Sequence, residues 1–437
     1  MKRLIYDELL AWKNRERCKP LLLLGARQVG KTYILKAFGE AEFDNLVYVN
    51  CHKEAYAQQL FRDVDAVRIV NELQHYYEVD IVPGKTLLFL DEIQEIRNGL
   101  ASLKYFCEDL PDLHVAVAGS LLGISLHEDE SYPVGKVETM QLYPMTFSEY
   151  LLARGRGRLL ETVQSLDWET LRAQHELLTG LLREYYFVGG MPEAVQEYVD
   201  TQDARRVRAI QADIVDAYRR DMSKHTKTQV QRINMVWDSV PSQLARENKK
   251  FVYGAIRKGA RAADYELALQ WLADAGIVYK VHKTRQPVMP LKFYADESAF
   301  KLYLPDVGLL ACMMQANPND MLLGTHAFVE FKGALTENYV LEQLRSLLPA
   351  DVIFYFSKDN STQEVDFVVQ CQGRVVPVEV KAEENVKSKS LSGFINVDHA
   401  DKQLKGLRIS MKPYVDQGWM ENIPLYAAEA YFKAIKK

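Results

Sequence analysis

Residues 20–38 read PLLLLGARQVGKTYILKAF, and their order decides the fold of the N-terminal part of the chain. Four consecutive leucines after Pro20 suit a strand buried on both faces, as in a parallel sheet. Gly25, Gly30, Lys31 and Thr32 then satisfy G-x-x-x-x-G-K-[ST], and an apolar helical pattern follows at once. An incidental glycine-rich turn would lack that strand and helix. The glycines let the backbone of Gly25, Ala26, Arg27, Gln28, Val29 and Gly30 turn its N–H groups inward on a phosphate, and the following helix aims its positive end at the same point. Lys31 is expected to reach the β- and γ-phosphates and the Thr32 hydroxyl to ligate Mg2+, with Tyr33 closing the nucleotide-contacting run. ATP and Mg2+ are the expected cofactors.

Downstream, TLLFLDEIQ at 86–94 supplies a second buried strand that ends in Asp91 and Glu92. An acid at the end of such a strand suits Mg2+ coordination, and the acid beside it suits polarising the attacking water. Asp91 is therefore expected as a metal ligand and Glu92 as a catalytic group. NLVYVN at 45–50 lies between the two strands in sequence, and HVAVAGS at 114–120 follows them. Ser120 is where a third polar group could sense the γ-phosphate. Strand and helix alternate through about residue 145, the pattern of a parallel sheet covered on both faces.

The extra strand between the phosphate loop and the acidic strand, with the Asp91–Glu92 pair, resembles the AAA+ and STAND branch of P-loop ATPases. More narrowly, GARQVGKT, LFLDEIQ, LYPMTFSEYL at 142–151 and FVGGMPEAV at 187–195 resemble the bacterial and archaeal ATPases that carry a C-terminal domain called DUF4143, and the resemblance runs over nearly the whole chain. It implies an ATPase core over 1–148 and a helical lid over 149–240, in which Gly190 and Pro192 pack on the adenine. A plain helix start with proline in its first turn is the competing reading of that motif.

The bulk numbers bound the rest. At 437 residues the chain exceeds what one core usually serves, and 48 % hydrophobic with 26 % charged residues is a globular composition. A net charge of -5 argues against a surface coated with basic groups, though not against a local basic patch. The five cysteines are scattered, with no CxxC pair, which suits a reducing compartment. The first 20 residues break their apolar run with Asp7 and Glu8 and read as a short amphipathic helix. A cytoplasmic location with no membrane partner is expected.

Helical periodicity dominates the lid, as in ARRVRAIQADIVDAYRRDM at 204–222, where Arg219 and Arg220 read either as an arginine finger or as a solvated helix end. Over 241–318, short helices followed by two strands resemble a winged helix, with Lys249, Lys250, Arg257, Lys258 and Arg261 on a basic flank. Such a segment serves either DNA contact or internal packing.

Over 319–437 one stretch stands out. EVDFVVQCQGRVVPVEVKA at 364–382 alternates so that Glu364, Asp366, Glu379 and Lys381 share one face of two strands while valines and Phe367 take the other. A solvated hairpin is one reading. With Glu337 in a predicted helix, 29 positions before Asp366, the set resembles the PD-(D/E)xK nuclease fold. That resemblance implies Mg2+ on Asp366 and Glu379, Lys381 beside the attacking water and Glu337 assisting; oxygen ligands favour Mg2+ or Mn2+ over zinc. Glu379-Val380-Lys381 also fits an inactive binding module. The candidate partners are DNA or RNA and further copies of the chain. The expected architecture is α/β: a P-loop ATPase sheet with a helical lid, a winged-helix segment and a PD-(D/E)xK-like C-terminal domain.

Overall fold

In the N-terminal sheet every strand runs in the same direction, because each return is made by a crossover. The computed structural model describes residues 1–120, 133–225, 229–323, 329–359, 361, 363–382 and 387–436. They cluster into two compact units, one built mainly on residues 2–143 and the other mainly on 144–437. In the first, the elements are α1 (Tyr6–Lys13), β1 (Leu21–Gly25), α2 (Lys31–Glu42), β2 (Asn45–Asn50), α3 (Ala55–Leu60), α4 (Ala66–Tyr77), β3 (Thr86–Asp91), α5 (Gly99–Asp109), β4 (His114–Ser120) and β5 (Glu138–Gln141). The strand order is β2-β3-β4-β1-β5, all parallel. HVAVAGS is thus the strand inserted between β1 and the acidic β3, and NLVYVN forms the edge.

The apolar runs do what burial on both faces requires. Every residue of β3 is buried. On one face Leu22, Val49, Leu88, Leu90, Val115 and Val117 pack with Phe61, Ile69 and Phe106. The register then aligns the carboxyl ends of the strands, with Gly25 opposite Ser120, Asp91 opposite Ala118 and Asn50 opposite Asp91. Ligands of open parallel sheets are met at that edge. The N-terminal helix is present, and Leu9 and Trp12 anchor it.

The second unit begins with helices α6 (Phe147–Ala153), α7 (Gly157–Ser165), α8 (Trp168–Ala173), α9 (His175–Val188), α10 (Pro192–Thr201), α11 (Ala204–His225), α12 (Val230–Leu244), α13 (Tyr253–Ile256) and α14 (Ala262–Asp274). It continues with β6 (Tyr279–Thr284), β7 (Ala295–Tyr303), α15 (Val307–Met313), α16 (Pro318–Leu323), α17 (Val329–Arg345), β8 (Ile353–Ser357), β9 (Glu364–Cys371), β10 (Arg374–Lys381), α18 (Lys389–Gly393), β11 (Gly406–Ser410), β12 (Val415–Asp416), β13 (Met420–Pro424) and α19 (Ala428–Lys436). Its mixed sheet has the order β12-β13-β11-β10-β9-β8-β6-β7. The β6–β7 hairpin, read from sequence as a wing, is instead the edge of this sheet, where Lys283 of β6 pairs with Tyr355 of β8. A strand edge left open exposes unpaired backbone groups, and β8 covers that of β6. Among the described residues no helix is long and apolar enough to cross a membrane.

The two glycines of FVGGMPEAV have a packing reason. Gly189 has φ +73°, and a Cβ there would lie 2.4 Å from Oδ1 of Asp306. Gly190 donates its N–H to Asp306 Oδ2 at 2.5 Å, its carbonyl accepts from Met145 N at 2.7 Å, and a Cβ on it would meet the Met145 carbonyl oxygen at 2.0 Å. Asp306 is fully buried and also accepts from Leu309 N at 2.8 Å, capping α15. Because the clash is with backbone, Gly190→Ala is expected to lower folding stability by about 3 kcal/mol, the upper end of ordinary overpacking. Thermal unfolding of the variant against the parent checks this; an unchanged melting temperature would contradict it.

Candidate functional site

At the carboxyl edge of the first sheet, the loop between β1 and α2 is shaped by two glycines. Gly25 is needed for close approach, since a Cβ would meet the Leu142 carbonyl oxygen at 2.3 Å. Gly30, at φ +94°, turns the chain into α2 in a conformation that suits glycine. Gln28 adopts φ +66° as well, Ala26 and Val29 are buried, and Arg27, Gln28 and Tyr33 are exposed. A residue outside the motif braces the loop: Arg3, buried, donates to the carbonyls of Val29 at 2.9 Å and Tyr143 at 2.7 Å.

Lys31 is buried and donates through Nζ to the carbonyls of Gly25 and Ala26, both at 2.9 Å. Burial pulls its ammonium down to about 8, against the charges of Glu92 and Asp91. An anionic ligand would offset that cost. Thr32, the next residue, donates from Oγ1 to Asp91 at 3.0 Å and 3.3 Å. Asp91 is 4 % exposed, and burial raises its carboxyl above the usual range despite hydrogen bonds from Tyr48 and Thr32. A hydroxyl and a carboxylate held together at the mouth of a phosphate loop are the oxygen ligands that Mg2+ takes. These residues therefore fit Mg2+ and a nucleotide phosphate.

Glu92 follows in the left-handed region, φ +56°, and its carboxylate accepts from the Gln94 amide. Ser120 ends β4 with its backbone opposite Gly25, and its side chain lies outside the described residues. Pro192 is the first residue of α10, in the second unit, while the phosphate loop belongs to the first.

In the second unit the predicted acids meet unpredicted bases. Glu337 of α17 and Asp366 of β9 come together with Glu364, their ligand-type oxygens within 4.8 Å of one another. Glu379 is not in that group: it pairs with Lys381 at 3.2 Å, and its buried Oε2 has no hydrogen-bond partner among the described residues. Lys301 of β7, fully buried, reaches Glu337 Oε1 at 3.0 Å and also Glu364. Tyr303 and Lys249 complete the shell of Glu337. Burial pushes Glu337 up, but Lys249, Lys301 and the Tyr303 hydroxyl outweigh it and hold it at about 2. Burial and the Glu337 charge push Asp366 up to about 7, while its Oδ2 accepts from Val380 N at 2.7 Å. Lys249, read from sequence as part of a basic flank serving either DNA contact or internal packing, is partly buried against Glu337. Arg219 is paired within its own unit, to Asp216 at 3.2 Å and Asp238 at 2.9 Å.

Comparison with known proteins follows this division. Residues 17–151 carry an AAA domain. Residues 332–427 match the domain of unknown function DUF4143, and residues 179–320 match another, DUF8612. No curated protein matches the chain. Among solved structures, the Walker-type ATPase paby2304 of Pyrococcus abyssi is 16 % identical with a TM-score of 0.45, over 71 % of this chain and 94 % of that one. Cdc6p from Pyrobaculum aerophilum is 14 % identical with a TM-score of 0.26, over 73 % and 92 % of the two chains.

Arg3, Lys301 and Tyr303 escaped the sequence reading. The signal for the last two was present in AFKLYLP at 299–305, where a lysine and a tyrosine share one face of an apolar strand. A lysine there must find buried acids. Lys301→Met is expected to cost about 3 kcal/mol because it strands the charges of Glu337 and Glu364, whereas adding Glu337→Leu should recover part of the loss. Denaturant unfolding of the two single variants and the double variant tests the pairing, and a double variant as unstable as the sum of its singles would refute it.

Proposed function

We propose that this chain binds and hydrolyses ATP with Mg2+, and that turnover switches the state of a C-terminal recognition module. The observation that carries the ATPase reading is the joint position of Lys31, Thr32 and Asp91 on one phosphate loop and its neighbouring strand. In this reading the loop N–H groups and Lys31 hold the phosphates, exchanging the Gly25 and Ala26 carbonyls for phosphate oxygens. Thr32 and Asp91 would hold Mg2+, which when bound neutralises charge on the phosphates. Glu92 leaves its contact with Gln94 to accept a proton from the attacking water. Ser120 and Pro192 keep the roles assigned to them from sequence, at the γ-phosphate and the adenine.

For the C-terminal part the switch reading, akin to STAND proteins, is favoured over a nuclease. The motive is that Lys301 and Lys249 already supply the cationic charge that Glu337 and Glu364 require. A second reading, Mg2+-dependent cleavage of DNA or RNA in the manner of PD-(D/E)xK enzymes, rests on the unpartnered Oε2 of Glu379 beside Lys381.

Glu92→Gln should bind ATP as the parent does and hydrolyse it on the order of 10^2-fold more slowly, the usual loss for a positioned base. Nucleotide titration with a phosphate-release assay reads both quantities, and equal turnover would move the base elsewhere. Lys31→Ala should abolish the binding itself. Single- and double-stranded DNA and RNA incubated with Mg2+ or Mn2+, with and without ATP, should remain intact. Cleavage that disappears in Glu379→Gln would instead establish the second reading.

A further inference from the structure

The strand at the edge of the first sheet reaches the metal-binding carboxylate. Tyr48 of β2 donates its hydroxyl to Asp91 Oδ2 at 3.0 Å, the same oxygen that accepts from Thr32 at 3.0 Å. The phenol oxygen is in turn oriented, because Asn50 Nδ2 donates to it at 3.0 Å. Asn50 is itself locked: its Oδ1 accepts from Lys53 N at 2.9 Å and His52 N at 3.2 Å, and its backbone N–H donates to Glu54. Lys36 of α2 lies over the Tyr48 ring with Nζ 3.4 Å from its centroid, which fixes the ring from the other side.

The direction of each bond matters. A single proton sits on the Tyr48 oxygen, and the Asn50 amide occupies that oxygen as a donor. The tyrosine proton is therefore left for Asp91. When Thr32 lends its oxygen to a cation, Asp91 needs a second anchor to keep its carboxylate plane from turning.

We infer that Tyr48, oriented by Asn50, is a positioning residue that aims Asp91 at the nucleotide-bound divalent cation. The turn at 50–54 thereby becomes part of the metal site, although it touches no phosphate. This inference rests on the ATPase reading and deepens it.

The test uses the full chain and a non-hydrolysable ATP analogue, titrated calorimetrically over a range of Mg2+ concentrations and again in EDTA. Tyr48→Phe keeps the ring under Lys36 and removes only the hydroxyl. It should raise the Mg2+ concentration for half-maximal effect by about ten-fold, the scale for losing a hydrogen bond to a charged group, with metal-free affinity within about two-fold of the parent. Asn50→Asp retains the acceptor that caps the turn but draws the tyrosine proton to itself, so it should shift the Mg2+ midpoint in the same direction with the tyrosine intact. A purely structural role would instead lower the metal-free affinity and the melting temperature together. An unshifted Mg2+ midpoint in Tyr48→Phe, or an equal loss in EDTA, overturns the inference while leaving the ATPase reading in place. Failure of the parent chain to bind the analogue with or without Mg2+ sinks both.

Discussion

A carboxylate at the end of a wholly buried strand must be given hydrogen-bond donors or its burial goes uncompensated. Asp91 is that group, and its partners reach it from two separate elements, Thr32 on α2 and Tyr48 on β2. Burying a charge without partners costs several kilocalories per mole, more than most single contacts return. The helix that follows the phosphate loop and the edge strand are therefore tied through one side chain. Arg3 brings a charge of the opposite sign to the same end of the loop, where it holds the carbonyls of Val29 and Tyr143. Lys31 holds the carbonyls of Gly25 and Ala26 at the other end, so the loop between β1 and α2 is fixed at both ends, the preorganisation that phosphate binding asks for.

The second unit meets the same constraint by internal pairing. Two of its buried acids find bases or backbone donors within the fold: Glu337 with Lys301 and Lys249, Asp306 with the amides of Gly190 and Leu309. Asn338, next to Glu337, exchanges two hydrogen bonds with the backbone of Leu304 and so pins α17 to the chain leaving β7. An ion pair of this kind is seldom a gain in stability over an apolar core, but losing one partner is costly. That asymmetry makes the cluster a constraint on which residues can change together.

Much of the first unit was legible because its signals are local. The strand PLLLLG, the loop GARQVGKT and the strand LFLDE each state a conformation and a chemistry within ten residues. The order of the strands was not stated locally, and HVAVAGS lies between β1 and β3 although NLVYVN comes earlier in the chain. The hairpin at 279–303 was read as a separate wing because periodicity reports that two strands pair, not which third strand covers their edge. Lys249 was read as surface charge for a similar reason. A lysine between polar neighbours gives no sign of the buried glutamate 88 positions away.

The sequence by itself determined the phosphate loop, the acidic strand end, the parallel α/β character of residues up to about 145, and the presence of Glu337 on a helix and of Asp366, Glu379 and Lys381 on two strands. Those are properties of spacing and periodicity, which survive without knowledge of neighbours. Only the tertiary structure decided that Glu337 and Asp366 meet Glu364 and Lys301 rather than Glu379, and that Tyr48 shares Asp91 with Thr32. Charge compensation is the reason: a buried carboxylate is satisfied by whichever donor the packing brings within about 3 Å, and that donor can come from any point in the chain.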